Sequence, residues 1–505
     1  MNRYLIVNII IDFRIITTLK NIDLYSFYGF FPWDCDRIIN VFLDLNKRDD
    51  KMKLKAMSRR EMLTETPIPE LITKLSIPTI LGMMVTAFYN SADTYFVGKI
   101  STEATAAVGL VFSVMAIIQA IGFMCGHGSG NYLSRMLGAG EKREADEMAS
   151  TGFAISLILG LVVAVVGNIF ASRLVVWLGA TATTQAETET YMRIILMGAP
   201  FMMGQFVVNN QLRFQGNAVY SMIGLMIGAV INVILDPLLI LYFNLGVKGA
   251  AIATVMGQMT SFTALIIGSS KGENIHMHIR NVHINFHYIF EVINGGAPSL
   301  LRQGMAALST LLLNNYAGKL GGDPAIAGMS IVTRVMLMMS AALIGFGQGY
   351  QPVCSFNYGA GLKSRVREGY FFVVRWGFIF LLAVGVICFV FAPDIVGWFR
   401  DDPNVIKVGT VALRCQAAVV PLSAPIVMTN MMLQSMGRGL KASIMASARN
   451  GLFFIPLILI LPPFLGILGV QITQTCADVL AFLLCIPMAL TELKLLKNDT
   501  KIAVD

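Results

Sequence analysis

The chain has 505 residues, of which 55% are hydrophobic and only 13% are charged. This composition excludes a soluble globular protein of that length, which needs more polar surface, and indicates an integral membrane protein embedded in a lipid bilayer. The formal net charge of +8 is explained by basic loops on one side of a membrane, so no nucleic-acid partner is expected.

Residues 1–56 have no counterpart elsewhere in the chain. Their first apolar stretch is interrupted by charged residues, which argues against both a clean transmembrane span and a signal peptide. One interpretation is an amphipathic anchor on the membrane surface. We favour the other, in which translation begins at Met52 or Met57 and 1–56 is an N-terminal extension with a mis-assigned start.

From Leu71 onward, apolar runs of about 20 residues alternate with short connections, as in transmembrane helices. The predicted spans are 77–98, 104–134, 149–170, 188–212, 220–242, 249–268, 297–318, 325–356, 370–391, 408–435, 450–466 and 469–490. The predicted fold is therefore an all-α integral membrane protein with twelve transmembrane helices. It divides into an N-terminal six-helix bundle at 70–270, a cytoplasmic linker at 271–296 and a C-terminal six-helix bundle at 297–492.

The two predicted bundles repeat each other at an offset of about 220 residues. The matched positions include Gly138 and Gly359, Trp177 and Trp398, Arg193 and Arg414, Pro200 and Pro421, Asn209 and Asn430, and Gly216 and Gly437. A register held through every segment indicates an internal duplication. Because each copy has an even number of helices, the second copy enters the membrane from the same side, and the repeats are parallel.

Basic residues are unevenly divided between alternate connections, with roughly twenty Lys and Arg on one side and about six on the other. Basic residues near helix ends stay preferentially in the cytoplasm. Both termini are therefore expected in the cytoplasm, and the protein is expected in a cell membrane of the bacterial inner-membrane type.

Carboxylates inside the predicted spans are scarce, and an ionisable group at membrane depth is expensive and usually functional. The first repeat has two, Asp93 and Asp236. Tyr89 and Asn90 precede Asp93 by four and three residues, and Asn232 precedes Asp236 by four, so each carboxylate shares a helix face with polar groups. A solvated rim position for Asp93 and a simple kink at Asp236 are the alternatives.

The second repeat lacks both carboxylates. Leu313 stands where the first repeat has Asp93, and an apolar neighbourhood stands in place of Asp236. Asp478 is the one deep acidic residue predicted there, and its role is left open, as are those of Arg302 and Arg334. The charge available for ion work is thus concentrated in the first half.

The paired six-helix repeats, the repeated Gly-Ala-Gly connection, Asn-x-x-Asp-Thr-x-Phe-Val-Gly in the first helix and Asn-x-x-x-Asp-Pro in the fifth resemble the multidrug and toxic compound extrusion (MATE) family. The branch named for DNA-damage-inducible protein F is the most similar. The resemblance implies a cation-coupling site at Asp93, Asn209, Asn232, Asp236 and Thr254. It also implies a supporting role for Tyr191 and a hinge at Pro78. Tyr89 and Asn90, which share the helix face of Asp93, and Met203 and Met256, whose soft side chains can repack around ligands, are further candidates for the substrate cavity.

The resemblance implies a secondary antiporter that exports amphipathic, often cationic organic compounds in exchange for inward H⁺ or Na⁺. No cofactor is expected beyond that ion, no metal beyond a possible Na⁺ at the coupling residues, and no partner beyond small molecules and lipid, so the protein is expected to be monomeric. A flippase for a lipid-linked saccharide is the first alternative. A membrane-embedded enzyme is the second alternative. It would require a convergent nucleophile, base or metal set, which the sequence does not present.

Overall fold

The computed structural model describes residues 58–98, 100–270, 274–275 and 277–498, and the description of side chains omits 87–95, 102 and 498. Helices make up almost all of this described part, and it contains no strand. The predicted N-terminal extension at 1–56 lies outside the described residues.

The first half is built from eight α-helices that lead into one another through short connections. They are α1 (Arg59–Glu65), α2 (Ile68–Gly98), α3 (Thr102–Ala139), α4 (Lys142–Ile169), α5 (Ala171–Trp177), α6 (Gln185–Phe214), α7 (Ala218–Pro237), which a π-helix at Leu238–Tyr242 extends, and α8 (Gly246–Ser269).

The second half repeats this order after a short 3₁₀ turn at Ile279–Asn281. Its helices are α9 (Phe286–Gly359), α10 (Lys363–Val390), α11 (Ala392–Phe399), α12 (Pro403–Val419), α13 (Ser423–Ser435), α14 (Gly439–Ser447), a π-helix at Ala448–Leu452, α15 (Phe454–Leu465) and α16 (Ile467–Asn498).

Eleven helical segments of the described chain are long and apolar enough to cross a membrane. One of them, α9, has 74 residues, or about 110 Å at 1.5 Å per residue, against roughly 30 Å of hydrocarbon. Gly322 interrupts it with non-helical angles (φ 63°, ψ −159°). The segments 286–321 and 323–359 are therefore two spans, which confirms the predicted twelve.

The repeated Gly-Ala-Gly connection has a physical explanation at both of its glycines. Gly140 and Gly361 adopt φ of 90° and 76°, in the left-handed region that favours glycine. Gly138 and Gly359 allow backbones to touch, because a Cβ on Gly138 would overlap the carbonyl oxygen of Phe356 and a Cβ on Gly359 that of Arg135.

These two contacts are also reciprocal. Positions 135 and 356, and 138 and 359, each differ by 221, so each half offers the other the same surface. Asn131 and Ser134 behave likewise: the Asn131 side chain accepts from the Ser355 hydroxyl, and the Ser134 hydroxyl donates to the Pro352 carbonyl. Such exchange is typical of a pseudo-twofold axis, and it supports the parallel arrangement of the two repeats.

We call the end of the molecule at which α3 and α9 finish, near Ala139 and Gly359, the linker end. The large buried apolar cluster of the second half includes residues of α1 and α2, from Leu63 to Leu75, at this end. A separate cluster towards the opposite end, including Phe96 and Ala251, contains first-half residues alone. The two halves are thus closed against each other at the linker end.

The eleventh span begins about ten residues earlier than the predicted 450–466, because α14 already starts at Gly439. The basic residues Lys441 and Arg449 made this stretch resemble a loop. In the structure Lys441 donates to Glu492 at 2.6 Å, and Arg449 pairs with Asp478. Partnered charges are tolerated inside a helix bundle, so the count of basic residues misplaced this boundary.

Candidate functional site

Asp236 and Asn232 lie one turn apart on α7 and are both buried, with exposed fractions of 0% and 3%. The Asn232 amide donates to Oδ1 of Asp236 across 3.5 Å, the long limit for such a bond. Oδ1 of Asn232 has no hydrogen-bond partner among the described residues. An amide oxygen beside a buried carboxylate is a set of hard oxygen ligands, which suits Na⁺ or a proton.

The backbone next to Asp236 is irregular for a local reason. Pro237 has no N–H, so it cannot donate to the carbonyl of Val233, and the helix continues as a π-helix at Leu238–Tyr242. Single π-turns inside helices occur frequently at functional sites. The carbonyl of Val233 thus lacks its usual helical donor and is a further candidate oxygen ligand.

The packing of α7 on α8 puts Thr254 at about the depth of this pair. A Cβ on Gly257 would lie 2.9 Å from Asn232, and a Cβ on Gly249 would lie 2.8 Å from the backbone of Leu239. Between these two contacts of antiparallel helices, Asp236 falls opposite residues 252–253, so Thr254 is less than one turn away. The Thr254 hydroxyl donates to the Ala250 carbonyl at 3.0 Å, which leaves its oxygen free to accept.

Asp93, Tyr89 and Asn90 lie in the part of α2 whose side chains are not described. The backbone of α2 is helical throughout, and the packing of Gly82 against Met222 and Leu225 sets its register with the parallel helix α7. Eleven residues further along, α2 brings Asp93 to the level of 233–236 on α7. That depth agrees with a shared site.

The structure does not bring Asn209 to this cluster. Its amide donates to the carbonyl and hydroxyl oxygens of Ser221, at 3.0 and 2.6 Å. Ser221 precedes Asp236 by fifteen residues on α7, about 22 Å along the axis. The second half repeats the bond, since Asn430 donates to the carbonyl of Ala442. We interpret Asn209 as a residue that ties α6 to α7.

Replacing Asn209 with Ala should therefore cost stability and spare ion coupling. The loss of two buried hydrogen bonds is expected to destabilise the protein by about 1–3 kcal/mol, measured as thermal unfolding in detergent. The matched variant Asn232→Ala is expected to do the reverse and abolish ion dependence of efflux. Loss of ion dependence in Asn209→Ala, with normal stability, would contradict this assignment.

Three supporting residues are spread over different surroundings. Tyr191 and Met203 are both fully buried in the first-half apolar cluster. Met256 is 44% exposed, and it lies about 200° around α8 from Thr254, on the opposite face. The structure thus separates Met256 from the cluster, because two residues along a helix is more than half a turn.

Pro78 is buried in α2 near the linker end, where glycines of the second half pack closely against the helix. A Cβ on Gly345 would meet the Ile80 backbone at 2.9 Å, and the Ser76 hydroxyl donates to the carbonyl of Phe346 at 3.0 Å. Any bend of α2 at Pro78 would therefore change the contact between the two halves.

In the second half, Asp478 is occupied by an ion pair. Arg449 donates to both of its oxygens, at 2.6 and 3.0 Å, and Gln474 adds a third bond at 2.8 Å. Asp478 lies on α16, which corresponds to α8 in the first half. The second half thus has a carboxylate on the helix that carries Thr254 in the first half. An arginine with two bonds to the carboxylate leaves it little capacity for a transported ion.

Asp478→Asn is accordingly expected to reduce stability more than coupling. It strands Arg449 in a largely buried position, at a cost of about 3 kcal/mol, while ion-driven efflux per folded molecule persists. Thermal unfolding and efflux would be compared with the exposed-acid control Asp394→Asn. Adding Arg449→Gln should restore most of the stability. A loss of coupling as complete as that expected for Asp93→Asn would show that the ion route uses both halves.

The structure also reveals a cluster around the buried His127 of α3. Nε2 of His127 lies 3.1 Å from the guanidinium of Arg213, and its Nδ1 lies 3.2 Å from Ser299. Arg213 also donates to Gln348. The sequence does contain a signal for this cluster, because Gln348 and Gln434 occupy the positions of the second repeat that correspond to His127 and Arg213, at an offset of 221. Only the packing shows that these side chains meet.

The chain matches the MatE family model over residues 78–238 and 298–460. It is 28% identical over 409 residues to the multidrug export protein MepA of Staphylococcus aureus, covering 80% of this chain and 90% of that protein. The MepA of Staphylococcus haemolyticus is 28% identical over 423 residues, at 83% and 93% coverage.

Solved structures agree with these relatives. A MOP superfamily transporter from Pyrococcus furiosus, described with a binding pocket of reversed polarity, is 26% identical with a TM-score of 0.81, covering 88% of this chain and 100% of that one. An outward-facing multidrug resistance MATE transporter is 26% identical with a TM-score of 0.82, at 88% and 99% coverage. Each of the two blocks matched by the family model falls within one of the two repeats.

Proposed function

The chain belongs to the MatE family of membrane transporters, and from that premise we propose that it is a secondary antiporter that exports amphipathic, often cationic organic compounds in exchange for inward H⁺ or Na⁺. Members of this family are transporters, so the protein is not an enzyme. The MepA relatives are multidrug export proteins, and we extend that activity to this chain. The branch named for DNA-damage-inducible protein F remains our proposal, supported by the Asn232 to Pro237 motif.

The observation that carries the proposal is the buried cluster of Asp236, Asn232 and Thr254. A carboxylate inside a transmembrane helix is rare and usually marks an ion or proton pathway. An inward-moving ion and a cationic substrate compete for the same negative charge, so binding of one favours release of the other. The ion gradient then supplies the free energy for export without ATP, and Asp93 is proposed as the second carboxylate of the site.

The distribution of hydrogen bonds between the two halves supports alternating access. Among the described residues, hydrogen bonds between the two halves all lie in the linker-end half of the helices, as at Arg213 with Gln348 and Asn131 with Ser355. If basic loops face the cytoplasm, the linker end is cytoplasmic and this conformation opens outward. Ion release inward would then require rocking of the halves about these contacts, with a bend at Pro78 as the proposed hinge.

The test is export of a fluorescent organic cation from proteoliposomes that contain the purified protein and no ATP. An imposed pH gradient and an imposed Na⁺ gradient are applied separately, and protein-free liposomes serve as the control. We expect dye movement driven by one of the two gradients. A requirement for ATP, or no gradient-driven flux over a panel of dyes, would overturn the proposal.

A further inference from the structure

The contact between the two halves contains positive charge that no acid of the described residues balances. Arg213, at the end of α6, is only 2% exposed. Its guanidinium donates to Gln348, Asn210 and His127, and its Nε has no hydrogen-bond partner within the described residues. Neutral groups can orient an arginine, but they do not neutralise its charge.

His127 does not supply the missing negative charge, and it adds no positive charge either. An arginine only donates, so Nε2 of His127 accepts from Arg213 and the proton resides on Nδ1. Nδ1 lies 3.2 Å from the carbonyl of Phe123, which can accept that proton. The imidazole is therefore neutral in this arrangement, and it holds the guanidinium in place.

A second arginine faces the same position from the other half. Arg302 lies one turn beyond Ser299, whose hydroxyl contacts His127, and the charge of Arg302 acts on both His127 and Arg213. Arg302 is partly exposed, and in the described part of the chain it makes neither a hydrogen bond nor an ion pair. The buried Nε2 of its neighbour Gln303 is likewise without an acceptor there.

The buried Arg135 and the largely buried Arg449 both have acidic partners. Arg135 pairs with Glu291 at 3.0 Å, and Arg449 pairs with Asp478 at 2.6 Å. Arg213 and Arg302 depart from this rule, although unpaired charge inside a membrane protein is strongly unfavourable. A charge retained at such a cost is explained by a ligand that supplies the opposite charge.

The internal repeat shows that the fold itself does not need the charge. Positions 127 and 348, and 213 and 434, are equivalent at the offset of 221. In the second half, Gln434 ties the helices together with an amide alone, donating to the Gly295 carbonyl at 2.7 Å and the Ser299 hydroxyl at 2.9 Å. An amide at position 213 could serve in the same way, so the arginine has a purpose beyond closure.

We propose that Arg302 and Arg213 form an anion site at the floor of the cleft between the halves, and that this site receives the carboxylate of an amphipathic organic substrate. The inference rests on the proposed transport function and adds a substrate class, carboxylates and zwitterions. Guanidinium groups bind carboxylates through paired, charge-assisted hydrogen bonds. In this conformation Arg302 is the accessible group, and opening of the linker end would separate Arg213 from Gln348 and expose it from the other side.

The proposed anion site at Arg302 and Arg213 is remote from the ion-coupling cluster. Arg213 ends α6 where α7 begins, and Asp236 is eighteen residues further along α7 from Ala218, about 27 Å away along the axis. A substrate carboxylate at the floor therefore does not compete for the coupling ion, and the two sites can be tested separately.

The experiment compares a rhodamine carboxylic acid with its methyl ester, which share one fluorophore and differ in the anionic group. Binding is measured by fluorescence anisotropy with the full-length protein in detergent. We expect the wild type to bind the acid at least about tenfold more tightly than the ester. Arg302→Gln and Arg213→Gln should each remove that preference and leave the affinity for the ester unchanged, whereas the exposed-arginine control Arg375→Gln should keep it.

Equal wild-type affinities for acid and ester, or an acid preference that survives Arg302→Gln, would overturn the anion site. Because Arg302 has no hydrogen bonds to lose within the described chain, that variant decides the matter even if Arg213→Gln fails to fold. Gradient-driven export of the ester is measured in parallel. If the ester is exported but the protein binds the acid no more tightly than the ester, the anion-site proposal is wrong and the proposed transport function stands.

Discussion

Replacing Asp236 with Asn is expected to abolish ion-driven efflux and leave a folded, membrane-inserted protein. The amide keeps the shape of the carboxylate and can still face Asn232, and it removes a buried charge rather than stranding one, so stability should not fall. An amide does not take up a proton near neutral pH, and it carries no negative charge to attract Na⁺. Export from proteoliposomes should drop to the protein-free background, at least tenfold below the wild type.

The control for this substitution is Asp394→Asn, which removes an exposed carboxylate near the opposite end and should transport normally. Thermal unfolding in detergent shows that both variants are folded. Transport by Asp236→Asn at the wild-type rate, under the gradient that drives the wild type, would show that the coupling ion binds elsewhere.

Replacing Gly359 with Ala should prevent closure of the linker end. The added Cβ would overlap the carbonyl oxygen of Arg135, and a helical backbone atom near the end of α3 cannot move aside as a flexible side chain does. Overpacking of this kind costs about 1–3 kcal/mol in the closed state alone. A population shift of roughly tenfold or more towards the linker-open state is expected, with a comparable loss of transport.

The measurement is a spin-label distance between Glu141 and Leu440, two exposed positions on opposite halves at the linker end, in a cysteine-free background. The distance should lengthen in Gly359→Ala and in its repeat equivalent Gly138→Ala. The control is Gly304→Ala, because a Cβ at Gly304 meets nothing within 4 Å. An unchanged distance in Gly359→Ala would mean that these glycine contacts do not hold the halves together.

The sequence predicted most of the architecture because its strongest signals are local or repeated. The length of the apolar runs indicates membrane spans, and a register kept over the whole chain indicates two parallel repeats. Within one helix the geometry follows from 3.6 residues per turn, so the pairing of Asn232 with Asp236 could be inferred from their spacing. Basic residues with partners inside the bundle were the exception, and they displaced the start of the eleventh span.

Only the tertiary structure decided which residues from different helices meet. Glycine contacts set the register of α7 on α8 and put Thr254 at about the depth of Asp236. Asn209 instead bonds to Ser221, about 22 Å from Asp236 along α7. Packing also pairs Asp478 with Arg449 and leaves Arg213 and Arg302 without an acid in the described chain. Spacing along a chain determines which side chains share one helix face. It does not determine the depth at which two helices touch, because backbone contact between helices depends on small residues from distant parts of the sequence.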